Sequence, residues 1–172
     1  MSPKEFVEKF KKDALECEKQ SGISSIAILA QAAHESGWGK YAPGNMFFGV
    51  KDTDGINGNE QLITTHEYSK SATRTPAQIG LHSISKIEPV TINGVKFFKY
   101  VGKAYFRKFD QPSDSFIHHA KFIQANSRYQ KAMEVKKDPY EFVKEVAKAG
   151  YAQDPSYAEL LCKMCKMIER LM

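Results

Sequence analysis

The segment from Ile26 to Gly39 constrains the fold more than any other part of this chain, because it reads IAILAQAAHESGWG. Its apolar residues recur on both faces of a helix rather than on one stripe. A helix that is apolar on all sides must be buried at the centre of a domain. Since Gly37 follows it and favours a helix end, the pattern predicts a central helix over residues 25–35.

Glu35 stands at the end of this predicted helix, where a carboxylate is unfavourable. The helix dipole opposes a negative charge at a C-terminus, and apolar neighbours disfavour the ionised form. Both effects raise the pKa of a carboxyl group, as a general acid near neutral pH requires. A solvated carboxylate at a helix end is the alternative interpretation, and the pattern alone leaves both open.

Several other chemistries fail on spacing. The zinc motif H-E-x-x-H would need a histidine at position 38, which is Trp38. The serine-hydrolase elbow G-x-S-x-G, the P-loop and the dinucleotide fingerprint are absent. Cys162 and Cys165 lie in an apolar helical pattern, which favours burial over a redox or zinc role. We therefore predict no metal and no cofactor.

The chain changes character in its middle. Helical periodicity and capping signals predict helices that begin at Ser2, Ser113, Arg128, Asp138 and Asp154. Residues 62–68 and 100–109 favour strands, and Val90–Phe98 contains an Asn-Gly hairpin signature. We predict a short helix or a loop over residues 75–85. We expect one α+β domain over 1–172, mostly α, with an α-lobe (1–59 and 110–172) and a β-rich lobe (60–109).

A helical protein with a small β-rich lobe and a glutamate at the end of a buried helix indicates a glycosidase, which usually needs a second carboxylate. The β-rich lobe offers Glu60, Glu67 and Glu88, and no spacing rule separates them. Aromatic residues near turns could stack on sugars, although packing is the alternative: Trp38, Tyr41, Phe47, Phe48 and Tyr151. The net charge of +5 favours anionic surroundings, but the basic residues are too scattered to indicate nucleic acid.

The stretch Ala30–Gly39 reads AQAAHESGWG. It closely resembles the signature A-Q-A-A-x-E-S-G-W-G of the peptidoglycan-cleaving β-N-acetylglucosaminidases of glycoside hydrolase family 73. Three further matches follow it and extend the resemblance over nearly the whole chain: Asn45–Lys51, Phe106–Asp110 with Ser115-Phe116, and Gly150–Pro155 with Tyr157-Ala158.

The resemblance implies a lysozyme-like fold with a sugar cleft between the two lobes. It implies Glu35 as general acid and Tyr151 as an active-site residue. Glu67, in the stretch Thr64–Tyr68, best matches the family's second glutamate, but extra length before Phe106 leaves Glu60 and Glu88 open. The substrate-binding residues that we predict are Trp38, Asn45, Phe47, Phe48 and Tyr157.

The implied reaction is hydrolysis of the β-1,4 bond between N-acetylglucosamine and N-acetylmuramic acid. A lytic transglycosylase or muramidase on the same scaffold is an alternative, and so is a glycan-binding module without activity. We expect a monomer acting on peptidoglycan strands, with no membrane span. Since no signal-peptide pattern is present, the expected setting is a phage-type lysin, or a domain excised from a secreted autolysin or flagellar protein, acting in the periplasm or outside the cell.

Overall fold

The computed structural model describes residues 1–172, which form two compact units. The first comprises Met1–Phe48 and Phe109–Met172, and the second Gly49–Lys108. The sequence placed the lobe boundaries at residues 60 and 109. Seven helices and one three-stranded sheet make up an α+β fold that is mostly helical, which confirms the predicted fold class.

The elements follow the chain in a simple order. They are α1 (Pro3–Ser21), α2 (Ser25–Ser36), β1 (Glu60–Ser69), α3 (Pro76–Ile79), β2 (Ser83–Ile92), β3 (Val95–Arg107), α4 (Pro112–Ala125), α5 (Gln130–Glu134), α6 (Pro139–Lys148) and α7 (Tyr157–Glu169). The sheet and the four-residue α3 belong to the second unit, and the other helices belong to the first. None of these helices combines the length and the apolar composition that crossing a bilayer requires.

Helix α2 is the centre of the first unit, as its composition predicts. Every residue from Ala27 to Ala33 is buried, on both faces of the helix. Helices α1, α4, α6 and α7 pack around it. Burying a side chain such as Leu29 contributes about 1.5–3 kcal/mol relative to leaving it exposed. The all-round apolar pattern therefore makes α2 the element against which the others assemble.

An aromatic cluster joins α1 and α4 to the segment that follows α2. Phe10 contacts Phe6 and Phe47 with ring centroids 4.9 Å apart in each pair. Phe116 of α4 meets Phe47 edge-on at 5.0 Å. Such tilted and edge-on pairs are favourable arrangements of aromatic rings. This cluster fixes where residues 47 and 48 enter the core.

The helix starts agree with the sequence only in part. The capping box of Ser2 with Glu5 is present. Helix α4 was expected to be capped by Ser113, but Gln111 is its N-cap and exchanges capping hydrogen bonds with Asp114. The local sequence explains this start, since Pro112 begins the helix and Asp114 completes the capping box; the Ser113 amide of the first turn, which has no acceptor within the helix, donates to Asp13 of α1 at 3.1 Å.

The sheet of the second unit is antiparallel with strand order β1-β3-β2. Asn93 and Gly94 form the β2–β3 turn with φ of 49° and 78°, as a type I′ turn requires. The predicted separate strand over 100–109 is wrong, because β3 runs unbroken from Val95 to Arg107. Gly102 lies where β2 bulges, and a Cβ there would be 1.9 Å from the Ser83 carbonyl oxygen.

The segment before β1 adds a short edge to β3. The amide of Arg107 donates to the Val50 carbonyl at 2.8 Å, and the amide of Asp52 donates to the Tyr105 carbonyl at 3.0 Å. Lys51 pairs with Phe106 as an isolated bridge between these bonds. The backbone of Lys51 is therefore held beside the sheet.

Candidate active site

Glu35 lies in the last turn of α2, and the chain after it is tightly fixed. Gly37 ends the helix with φ 56°, and Trp38 and Gly39 follow with φ 58° and 76°. Ser36 braces this turn, since its hydroxyl donates to the Ala32 carbonyl at 2.5 Å and accepts from the Gly39 amide at 2.9 Å. A non-glycine residue with positive φ is strained, and such strain often occurs at functional sites.

The environment of Glu35 favours its protonated form. Desolvation by the surrounding protein raises the pKa of this carboxyl group, and the neighbouring His34 partly opposes that effect. The side chain is nevertheless solvent-exposed, so water screens these interactions and limits their size. The direction of the shift agrees with the prediction from the sequence. It is also the direction that a general acid requires.

Two tyrosines stand beside this carboxyl group. The rings of Tyr151 and Tyr157 stack with centroids 5.8 Å apart, and His34 meets Tyr157 edge-on at 5.3 Å. Desolvation raises the pKa of both hydroxyl groups, and the negative charge of Glu35 raises both further. Both phenols therefore keep their protons near neutral pH, where they can act as hydrogen-bond donors.

A buried polar pair underlies these tyrosines, and the sequence prediction missed it. His119 Nε2 lies 3.1 Å from Gln31 Oε1, and burial lowers the pKa of His119 to about 3. The imidazole is therefore neutral, and an Nε2–H donor with a Gln31 Oε1 acceptor satisfies the contact. The His119 ring stacks on Phe48 at 3.7 Å and meets Tyr151 edge-on at 5.8 Å.

Gln31 connects this pair to Tyr157. Hydrogen bonding from Gln31 opposes the increase in the pKa of Tyr157, yet neither Gln31 Nε2 nor the Tyr157 hydroxyl has a partner with standard hydrogen-bond geometry. Gln31 Nε2 and the Tyr157 hydroxyl therefore interact, but not with the geometry of a standard hydrogen bond. The sequence contains one signal for the contact of Gln31 with His119. Gln31 is a lone glutamine within an apolar helix, and a buried amide needs a hydrogen-bond partner.

The predicted sugar-binding aromatics differ in exposure. Phe47 and Phe48 are only 3% and 5% exposed, and both pack within the aromatic cluster, which argues against direct stacking of either ring on a sugar. Tyr157 is 2% exposed. Trp38 is half-buried against Phe6, with centroids 5.6 Å apart. Tyr151 is half-buried beside Glu35.

Asn45 has a structural role that the sequence did not predict. Its side-chain amide donates to the carbonyl groups of Phe109 and Asp110 at 3.0 and 3.1 Å. Its own φ of 56° is in the left-handed region, which asparagine tolerates better than most residues. These contacts join the chain before the second unit to the chain after it, whereas a sugar contact by Asn45 stays a prediction.

The candidates for the second carboxylate all lie in the second unit. Glu67 Oε1 is 2.5 Å from Lys51 Nζ, which also donates to the Gly80 carbonyl at 2.9 Å. Glu60 accepts from the Gly58 amide at 2.6 Å. Glu88 pairs with Lys86 at 2.5 Å, and this partner lowers the pKa of Glu88. Glu67 is thus held by Lys51, which is itself fixed by the Gly80 carbonyl and by its backbone bridge to β3.

No three His, Cys, Asp or Glu side chains anywhere are placed to hold a metal ion.

Comparison with known proteins identifies relatives over nearly the whole chain. A family model described as "Glucosaminidase: Mannosyl-glycoprotein endo-beta-N-acetylglucosaminidase" matches residues 11–170. The peptidoglycan hydrolase FlgJ of Vibrio parahaemolyticus is 27% identical over 170 residues, which cover 99% of this chain and 49% of that protein. FlgJ of Pseudomonas aeruginosa is 27% identical, with 98% and 37% covered. The chain thus spans about half or less of the length of these curated relatives.

Solved structures show the same fold. The glycoside hydrolase domain of FlgJ from Salmonella typhimurium superposes with a TM-score of 0.68 and 25% identity, covering 99% of this chain and 91% of that one. The catalytic domain of the autolysin Auto from Listeria monocytogenes has a TM-score of 0.71 at 22% identity, with 100% and 89% covered. At that identity the second likeness concerns the fold alone.

Proposed function

Because this chain belongs to the glucosaminidase family, we propose that it hydrolyses peptidoglycan as an endo-β-N-acetylglucosaminidase. It cleaves the β-1,4 bond between N-acetylglucosamine and N-acetylmuramic acid and leaves N-acetylglucosamine at the new reducing end. The observation that carries this proposal is the family match over residues 11–170. The structure is consistent with it, since burial raises the pKa of Glu35 and Tyr151 and Tyr157 lie within its electrostatic reach.

Glu35 acts as the general acid. It donates its proton to the glycosidic oxygen as the bond to the anomeric carbon breaks, and a carboxylate remains. Tyr151 keeps its own proton, so its hydroxyl is available to donate a hydrogen bond to the carboxylate that forms or to the sugar. A positioned general acid contributes about 10²–10⁴ in rate, which sets the size of the expected loss when the proton is removed.

Glu67 is the proposed second carboxylate, and it positions or deprotonates the attacking water. Its contact with Lys51 supports this role, because the ammonium holds the carboxylate in a defined position on β1. If the acetamido group of the substrate instead assists the reaction, Glu67→Gln should retain most activity. A large loss in that variant, with Glu60→Gln and Glu88→Gln left active, would assign the role to Glu67.

The substrate and setting follow from the same reasoning. Relatives named peptidoglycan hydrolase cover nearly all of this chain, and the net charge of +5 suits an anionic cell wall. We propose that the domain works as a monomer on peptidoglycan strands, in the periplasm or outside the cell. A phage-type lysin and a domain of a longer wall hydrolase are both consistent with this setting.

The decisive experiment compares Glu35→Gln with the wild-type protein on purified cell walls. Turbidity clearing should fall by about 10²–10⁴, while Glu8→Gln, which alters an exposed carboxylate of α1, should clear walls normally. Borohydride reduction of the products should give reduced N-acetylglucosamine ends. Reduced muramic acid or anhydromuramic ends would refute the proposed bond, and full clearing by Glu35→Gln would refute the role of Glu35.

A further inference from the structure

The turn after Glu35 presents one aromatic ring to solvent. The Tyr41 amide donates to the Ser36 carbonyl at 2.8 Å, so the backbone of Tyr41 lies next to Ser36, the residue that follows Glu35. Trp38 in the same turn is half-buried against Phe6. Tyr41, by contrast, is 64% exposed. Tyr41 is therefore the most exposed ring of this turn, whereas Trp38 is partly covered.

The Tyr41 ring is exposed to solvent, but one of its edges contacts Gly37. A Cβ at Gly37 would lie 3.1 Å from Tyr41 Cδ2 and 3.4 Å from Cε2, so the ring edge rests against the bare backbone of Gly37. Any side chain at residue 37 would have to displace it. A ring held in this way loses little conformational freedom when a ligand binds, which favours affinity.

Lys40 adds a positive charge to this ring. Its Nζ lies over the Tyr41 ring, 4.9 Å from the centroid. Hydrogen bonding to Tyr41 also raises the pKa of Lys40, which favours the charged ammonium. An aromatic ring and an ammonium together can bind a sugar that carries a carboxylate, because the ring packs on the pyranose and the ammonium pairs with the acid.

We infer that Tyr41 and Lys40, in the turn that follows Glu35, form a glycan-binding platform that takes the carboxylate-bearing muramyl residue of the strand. The inference rests on the proposed function for the identity of the glycan. Of the two sugars in that polymer, only the muramyl residue carries an acidic branch, either its own lactyl carboxylate or the carboxylates of an attached peptide. The platform therefore distinguishes the two sugars by the charge that only one of them carries.

Binding measurements in a Glu35→Gln background test this platform without requiring turnover. Calorimetry would use chitooligosaccharide, peptide-free glycan strands and peptide-bearing glycan strands. Tyr41→Ala should weaken binding of all three by about tenfold, and Tyr41→Phe should retain it. Lys40→Met should weaken binding by about threefold for the acidic glycans only. A loss confined to peptide-bearing strands would identify the peptide as the carboxylate source.

Lys9 provides a matched control, because its ammonium also lies over an aromatic ring. Lys9 Nζ is 5.2 Å from the Phe10 centroid, and that ring is buried. Lys9→Met should bind every glycan normally. Unchanged binding by Tyr41→Ala, or an equal effect of Lys40→Met on chitooligosaccharide, would overturn the inference. Because these measurements do not depend on cleavage, they separate failure of the platform from failure of the proposed reaction.

Discussion

The buried histidine beneath the site should make the protein sensitive to acid. Burial lowers the pKa of His119 from 6.5, the value of a free side chain, to about 3, and the charge of His118 lowers it further. The pKa is lowered in the folded state, so the neutral ring stabilises the fold above pH 6.5. That stability is lost as the pH falls from 6.5 towards 3.

The magnitude follows from these two pKa values. At pH 5 the unfolded chain binds a proton at this position and the folded chain does not, which costs about 2 kcal/mol relative to pH 8. In a chain of this size each kcal/mol shifts the melting temperature by about 2–4 °C. The histidine alone should therefore lower the melting temperature by about 4–8 °C between pH 8 and pH 5.

The assay is urea or thermal unfolding of wild type and His119→Gln at both pH values. Glutamine retains an amide donor for Gln31, but it loses the stacking of the ring on Phe48, so the variant should be less stable at pH 8. Its further loss between pH 8 and pH 5 should be smaller than that of wild type by about 2 kcal/mol. His118→Gln should keep the wild-type dependence, because His119 remains. Equal losses in wild type and His119→Gln would refute the reasoning.

Three other changes have defined outcomes. Glu35→Gln should unfold at a higher temperature than wild type at pH 7 but not at pH 3, because the pKa of Glu35 is raised in the folded state and the protonated form is favoured there. Gly102→Ala should unfold in less urea, since its Cβ would lie 1.9 Å from the Ser83 carbonyl oxygen. Tyr100→Phe should lose about 1–3 kcal/mol in urea unfolding, because its buried hydroxyl donates to Ser71 at 2.7 Å and accepts from the Arg74 amide at 3.0 Å.

The sequence predicted the parts of the fold that depend on local pattern. An all-round apolar segment predicted the central helix α2, and Asn93-Gly94 predicted the hairpin turn that joins β2 to β3. The start of α4 was missed although its signal is local, because Gln111, Pro112 and Asp114 form the capping box there. The length of β3 was also missed, since pairing with two neighbours keeps it continuous across Gly102.

The candidate site divides in the same way. The position of Glu35 in the last turn of α2 and its raised pKa could be predicted because both depend on local sequence, whereas its role as general acid stays a prediction. The pair of Gln31 and His119 joins residues 88 positions apart, and no spacing rule finds such a contact. The exposure of loop aromatics also depends on packing, which is why Phe48 is buried while Tyr41 is exposed.

The end of α2 collects features that each reduce stability. Trp38 has a positive φ, which costs about 1–3 kcal/mol for a non-glycine residue. The carboxyl of Glu35 is partly desolvated, and one turn earlier in α2 the Gln31 amide is buried without a well-formed partner on its nitrogen. The apolar burial along the rest of α2 can offset these costs because the helix is fixed on every side. We therefore expect substitutions that relieve one of these features to raise the melting temperature and, at the same time, to weaken the hydrolysis proposed for Glu35.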